Sequence, residues 1–215
     1  MIASVADSKA VLRARIRASR AAGLSMEWSA ATRAGLLDTA RAAGLLDPDG
    51  TPGSTGRVAL AAYVAAPGEP DVAAIRAAIR EAGGLVVLPI PGPEGALGWA
   101  LDEGTYSAHP RLPVGMPIGE TLGIGATPLL SHQVGTVLLP ALAVDGTGLR
   151  LGQGGGYYDR LLAELAEVAE VGGRMRTVAI VHDEELLPEG AVPREAHDQA
   201  VMAVLTPTRY VRFAG

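Results

Sequence analysis

Apolar residues recur along this chain in two rhythms, one helical and one strand-like, and the change between them organises everything that follows. Over 8–22 the spacing is helical, and Lys9, Arg13, Arg17 and Arg20 follow one another at intervals that place all four cations on one face. A second helix is predicted over about 27–46 with Ser25 near its cap, and 47–56, rich in Asp, Gly, Pro and Ser, reads as a loop. From there, short apolar runs at 58–64, 85–90, 137–144, 177–182 and 201–205 predict strands. Between them 71–82 and 157–169 are helical, the latter through Leu161, Leu162, Leu165 and Val168, and a long Gly/Pro-rich middle separates the second run from the third. Alternation of this kind predicts an α/β fold: a layered, mostly parallel sheet flanked by helices, with a basic N-terminal helix. Ligands of such sheets bind beyond the carboxyl ends of the strands, so Glu69 and the segment after 137–144 would face one cleft.

Composition sets the limits. The 215 residues, 48% hydrophobic, suffice for one large core, and a single domain over 1–215 is expected. A net charge of −5 argues against a general binder of nucleic acid or anionic membranes, because neither polyanion would be attracted at long range. The absence of cysteine excludes disulfides and thiolate chemistry and suits a reducing compartment. No run reaches the roughly 18 apolar residues of a membrane span, and no signal-peptide order opens the chain, so a cytoplasmic monomer is the expectation.

Candidate chemistry concentrates after the 137–144 run, in Asp145-Gly-Thr-Gly-Leu-Arg-Leu-Gly-Gln-Gly-Gly-Gly-Tyr-Tyr-Asp-Arg160. Without β-carbons, the backbone around Gly152, Gly154, Gly155 and Gly156 can turn with positive φ and aim amides at an anion, beside the partial positive charge of the next helix's N-terminus. Arg150 can grip phosphate oxygens, and Asp159 can hold Mg²⁺ or cap the helix. The segment fits neither a P-loop, since no Gly-Lys-Ser/Thr follows, nor Gly-x-Gly-x-x-Gly, whose third glycine is displaced by Tyr157. As physics alone, it is either a phosphate site or a mobile glycine turn. The basic face of the first helix is likewise either an anion grip or a solvated surface, although Lys9, the only lysine of the chain, offers phosphate a compact point charge. Glu69 and Asp198 are either binding carboxylates or turn formers. His109, His132, His182 and His197 show no short ligand spacing and suggest no transition-metal site; His197 would tune its neighbour Asp198.

Arg150-Leu-Gly-Gln-Gly-Gly-Gly-Tyr-Tyr-Asp159, preceded by Leu139-Pro-Ala-Leu-Ala-Val-Asp145, resembles the signature of the 5-formyltetrahydrofolate cyclo-ligase (methenyltetrahydrofolate synthetase) family. Lys9-Ala-Val-Leu-Arg13, Glu69-Pro-Asp71 and Pro193-Arg-Glu-Ala-His-Asp198 follow the family's order, so the resemblance spans nearly the whole chain. Because Lys9 and Arg13 belong to that pattern, the Arg-rich first 25 residues are taken as part of the fold and not as a transit peptide. The resemblance implies ATP- and Mg²⁺-dependent conversion of 5-formyltetrahydrofolate to 5,10-methenyltetrahydrofolate. It implies that ATP meets Lys9, Arg13, Arg150, Leu151, Gly152, Gln153, Gly154, Gly155, Gly156, Tyr157 and Tyr158. Catalysis would rest on Lys9, Arg13, Arg150 and Tyr157, and Mg²⁺ on Asp159 and Asp198. The reduced folate would meet Arg13, Tyr63, Val64, Glu69 and the 153–157 loop. One departure is visible: Pro113-Val-Gly-Met-Pro-Ile-Gly-Glu120 stands where many members carry an aromatic residue before Glu-Pro or Gln-Pro, which leaves Trp99 or Tyr106 as substitutes for stacking on the pterin.

Overall fold

The computed structural model describes residues 4–24, 30–47, 56–108, 115–172 and 175–213. Helix α1 (Val5–Ser19) opens with a capping box, in which the Ser4 hydroxyl accepts from the Asp7 amide while the Asp7 carboxylate accepts from the Ser4 amide, and a π-helical turn (Arg20–Leu24) closes it. Helix α2 (Ala30–Ala42) is followed by strand β1 (Ala59–Ala61), helix α3 (Ala73–Glu81) and strand β2 (Leu85–Pro91). Ser25, the start of the expected 27–46 helix, most of the 47–56 loop, His109, Pro113 and Val114 lie outside the described residues.

The Gly/Pro-rich middle is more structured than its composition suggested. It contains β3 (Leu97–Leu101), β4 (Tyr106–Ser107), β5 (Met116–Pro117), β6 (Thr121–Ile124) and the short helix α4 (Thr127–Ser131). Glycine within β3 masks the strand in the sequence, and packing explains it: a β-carbon on Gly98 would lie 2.9 Å from Ile90 Cγ1 on the neighbouring strand.

The remaining elements are β7 (Thr136–Pro140), β8 (Ala143–Asp145), β9 (Arg150–Leu151), α5 (Tyr157–Gly172), β10 (Arg176–Ile180), β11 (Leu186–Leu187), β12 (Ala203–Leu205) and β13 (Tyr210–Arg212). The main sheet runs β13-β12-β10-β7-β1-β2-β3-β6, with five parallel strands, β12 to β2, in the centre and antiparallel pairings at both edges. Helices cover both faces: one core layer packs Leu161, Leu162 and Leu165 of α5 against Val137 and Leu139, and the other packs Leu36, Ile75 and Ile79 of α2 and α3 against Leu60, Leu88 and Leu138. The mostly parallel layered sheet expected from the alternation is therefore present.

The expected 137–144 strand is two strands. Pro140 has no amide to continue the ladder, and after it Leu142 donates to the Leu151 carbonyl, so the chain leaves the main sheet for a second one, ordered β11-β8-β9. Unbroken apolarity hid this break, since Ala141, Leu142 and Ala143 are as buried as a strand interior. The small sheet receives α1: Leu12 and Ile16, one helical turn apart, pack with Leu142, Leu149, Leu151 and Val192.

Candidate active site

Two cavities meet at the carboxyl ends of the central strands. The larger, about 340 Å³, is bordered by Tyr63 and Val64 beyond β1, Ile90 and Pro91 at the end of β2 and Pro140 at the end of β7, with Glu69 and Gly152 to Asp159 completing the wall. The smaller, about 150 Å³, is polar and bordered by Lys9, Arg13, Glu195, His197 and Asp198. Arg150, Gly152, Gly154, Gly156 and Asp159 border both, so the glycine segment is the partition between an apolar chamber and a charged one.

Local forces shape that partition. Asp145, fully buried, accepts from the Thr147 amide and hydroxyl and from the Leu149 and Val192 amides, folding the β8–β9 turn and aiming Arg150 toward the glycines. Gly154 (φ 107°) and Gly156 (φ 69°) adopt the backbone that glycine permits. Gly152 and Gly155 do not have positive φ and are small for a different reason: a β-carbon would lie 2.8 Å from the Arg150 guanidinium in the first case and 2.9 Å from the Tyr157 ring in the second. Arg160, unremarked in the sequence, donates to the carbonyls of Gly95 and Gly155 and lies over the Tyr157 ring, pinning the loop at the start of α5.

The basic face of α1 turns toward this loop. Arg13 donates to the Gly152 carbonyl at 2.9 Å, and Arg17 donates to the carbonyl and side chain of Gln153. Arg20 departs from the expected anion grip: its guanidinium is buried, paired with both oxygens of Glu185 and bonded to the Ala141 carbonyl, which makes it a structural anchor of the small sheet. Lys9 is 5% exposed, and its ammonium contacts Glu195 and both oxygens of Asp198. Burial opposes the Lys9 charge, but the hydrogen bonds it donates to Asp198 and Glu195, together with their negative charge, outweigh it and hold the ammonium's pKa above its ordinary value. Burial likewise opposes ionisation of Asp198, yet Lys9 and the Glu195 amide hold its carboxyl below the usual range.

Asp159 pairs with Arg150 at 2.6 Å, and the Arg150 guanidinium lies over the Tyr158 ring. Burial lowers the pKa of Arg150 against the pull of Asp159, and its buried Nε has no hydrogen-bond partner among the described residues. A guanidinium in the wall shared by both cavities suits an anionic ligand through its charge. Glu195, His197 and Asp198 each bring a ligand atom within 4.8 Å of the others, so the structure adds Glu195 to the carboxylates at hand; only proximity in space reveals it. Asp159 and Asp198 border the same charged cavity, and hard oxygen donors of this kind suit Mg²⁺.

The apolar chamber brings Tyr63, Val64, Glu69 and the 153–157 loop together, whereas Arg13, also expected at the folate, borders the charged cavity instead. The Tyr63 hydroxyl donates to the Pro70 carbonyl at 2.6 Å, and Glu69 accepts from the Ala66 amide and from Gln153 across the chamber. Burial, reinforced by the negative charge of Glu69, raises the pKa values of Tyr63 and Tyr158 so that both phenols stay neutral. Tyr157, by contrast, is exposed at the rim. Neither expected substitute for a stacking residue reaches the chamber. Trp99 is fully buried and donates to the Gly125 carbonyl, while Tyr106 is bound to Asp102 and Arg76; Met116 and Ile90 border the chamber instead.

Comparison with known proteins places these features in context. The sequence model of the 5-formyltetrahydrofolate cyclo-ligase family matches residues 5–207. The chain is 37% identical over 155 residues to the 5-formyltetrahydrofolate cyclo-ligase of Mycolicibacterium smegmatis, covering 69% of this chain and 73% of that protein. It is 40% identical over 76 residues to the mitochondrial 5-formyltetrahydrofolate cyclo-ligase of Arabidopsis thaliana, covering 34% of this chain and 27% of that protein. In fold it is similar to the 5,10-methenyltetrahydrofolate synthetase of Aquifex aeolicus, with a TM-score of 0.69 at 18% identity over 96% of this chain and 93% of that one. The synthetase of Mycoplasma pneumoniae gives 0.62 at 16% identity over 92% and 97% of the two chains.

Proposed function

The chain belongs to the 5-formyltetrahydrofolate cyclo-ligase family, and from that premise we propose that it converts ATP and 5-formyltetrahydrofolate to 5,10-methenyltetrahydrofolate, ADP and phosphate. One observation carries the assignment: the glycine segment borders both the apolar chamber, suited to a flat reduced folate, and the charged cavity, suited to a metal-bound triphosphate. A reaction between those two substrates requires such adjoining compartments.

The chemistry explains the demand for ATP. A formamide carbonyl resists attack by N10 because nitrogen donation quenches its electrophilicity and oxide is a poor leaving group. Attack of the formyl oxygen on the γ-phosphorus, with ADP leaving, removes both obstacles. N10 then closes the ring on the formyl carbon and gives up its proton, and phosphate departs with the formyl oxygen to leave the methenyl cation. Such a sequence calls for positioning and charge stabilisation and not for a protein nucleophile.

Lys9, Arg13 and Arg150 would oppose the growing phosphoryl charge, with the 151–158 backbone and side chains cradling the nucleotide and Tyr157 closing the rim. Asp159 and Asp198 would hold Mg²⁺, which when bound supplies further neutralisation of the phosphates. Tyr63, Val64 and Glu69 would orient the folate so that N10 faces the formyl carbon. No helix among the described residues is long and apolar enough to cross a membrane. The family supports small-molecule substrates, and we propose a cytoplasmic monomer. Mixing purified protein with ATP, Mg²⁺ and 5-formyltetrahydrofolate and following methenyl absorbance tests the reading; tight folate binding without product would overturn it in favour of a binding protein.

A further inference from the structure

The apolar chamber has one wall whose support lies outside it. Gly115 and Met116 border the chamber from strand β5, which pairs with β4 in a ribbon of only two residues per strand, Tyr106 opposite Pro117 and Ser107 opposite Met116. A ribbon this short has too few backbone bonds to hold its own position. Its anchor is Tyr106. The Tyr106 hydroxyl donates to Asp102 Oδ1 at 2.7 Å and accepts from Arg76 at 2.8 Å, and the Arg76 guanidinium lies 5.6 Å from the ring centroid. Asp102 itself is immobile: its side chain is fully buried, its Oδ2 accepts from Arg76 and Arg80 of α3, and its amide donates to Val86 of β2. The root of the Tyr106 side chain packs close to the chamber wall, since a β-carbon on Gly115 would lie 2.8 Å from Tyr106 Cβ and 3.5 Å from its Cγ.

We propose that Tyr106, fastened by Asp102 and Arg76, is a positioning residue that sets where Gly115 and Met116 stand against the folate. The inference rests on the folate reading of the chamber. It also accounts for the cost of burying a carboxylate with two arginines on the far side of the sheet's edge: the charges give the phenol a fixed partner, and the phenol passes that fixity to the chamber wall. Tyr106 does not border the chamber, so its effect on substrate is transmitted through Gly115.

The test compares Tyr106→Phe and Tyr106→Ala in the full chain. Phe keeps the ring and its place beside Arg76 and removes only the hydroxyl, a loss of hydrogen bonds to charged groups for which about a tenfold rise in KM for 5-formyltetrahydrofolate is expected. Ala should raise it further, with kcat and the KM for ATP unchanged in both and backbone hydrogen exchange over 115–117 accelerated. A Phe variant indistinguishable from the parent in folate KM and exchange would overturn the proposal, as would kcat and both KM values moving together. Should the parent protein turn over no folate, the folate reading fails by itself, and accelerated or unaltered exchange over 115–117 still decides whether Tyr106 fixes the ribbon.

Discussion

The Lys9 ammonium lies 2.7 and 2.6 Å from the two carboxylate oxygens of Asp198, a residue 189 positions away in sequence. One of the proposed phosphate cations and one of the proposed metal carboxylates therefore neutralise each other, and Arg150 and Asp159 do the same at 2.6 Å. On the proposed reading, a metal-bound triphosphate would satisfy both members of each pair at once, whereas metal or nucleotide alone would satisfy one and strand the other.

Lys9→Ala is expected to weaken ATP use by tenfold or more while folate binding persists, since the folate chamber does not include Lys9. Removing one partner of a buried pair should also lower stability by roughly 3 kcal/mol. Separate titrations of nucleotide and folate, read by calorimetry, check this; equal loss of both would reduce α1 to a structural part.

Asp159→Asn should abolish Mg²⁺-dependent turnover and also lower stability, because it leaves the buried Arg150 guanidinium without its carboxylate. Measuring rate against Mg²⁺ concentration decides the matter. If Asp159→Asn responds to Mg²⁺ as the parent does and Glu195→Gln does not, the ion belongs to the cluster of Glu195, His197 and Asp198.

The Lys9–Asp198 pair also sets a pH window. Asp198 has a lowered folded pKa, so its stabilisation is present above the ordinary value of 3.8 and fades as pH falls from there through the folded value. Lys9 has a raised folded pKa, so its stabilisation is present below 10.5 and fades as pH rises through the folded value. Thermal unfolding followed from neutral pH to below 3.8 and to above 10.5 should show decline at each end that a Lys9→Met, Asp198→Asn double variant largely lacks.

Gly154→Ala places a side chain at φ 107°, where it is strained whatever the space around it. A cost on the order of 1–3 kcal/mol is expected, concentrated in the loop. Nucleotide affinity should fall about fivefold or more, with a melting-temperature loss of roughly 2–12 °C for a chain of this size; an unaltered affinity would place the nucleotide away from this loop.

Much of this was legible in the sequence because it is local. Periodicity revealed α1, α3, α5 and the central strands, and the glycines, Arg150 and Asp159 advertised a site by crowding into one segment. Strand β3 and the edge strand β6 were not legible, since Gly98 and Gly123 interrupt the apolar runs, and the division of β7 from β8 left no mark in hydrophobicity. Aromatic character alone also misled at Trp99, which serves the core, and at Tyr106, whose place was decided by Asp102 and Arg76.

By itself, then, the sequence determined the layered α/β plan, the glycine-rich candidate segment and the stripe of cations that begins on α1. Tertiary structure alone decided which of those cations face the cavity, giving Lys9 to Asp198 and Glu195 but Arg20 to Glu185, and which carboxylates stand together. The reason is physical: backbone period depends on neighbours a few residues away, whereas a charge takes whichever partner the packed sheets bring within hydrogen-bonding reach.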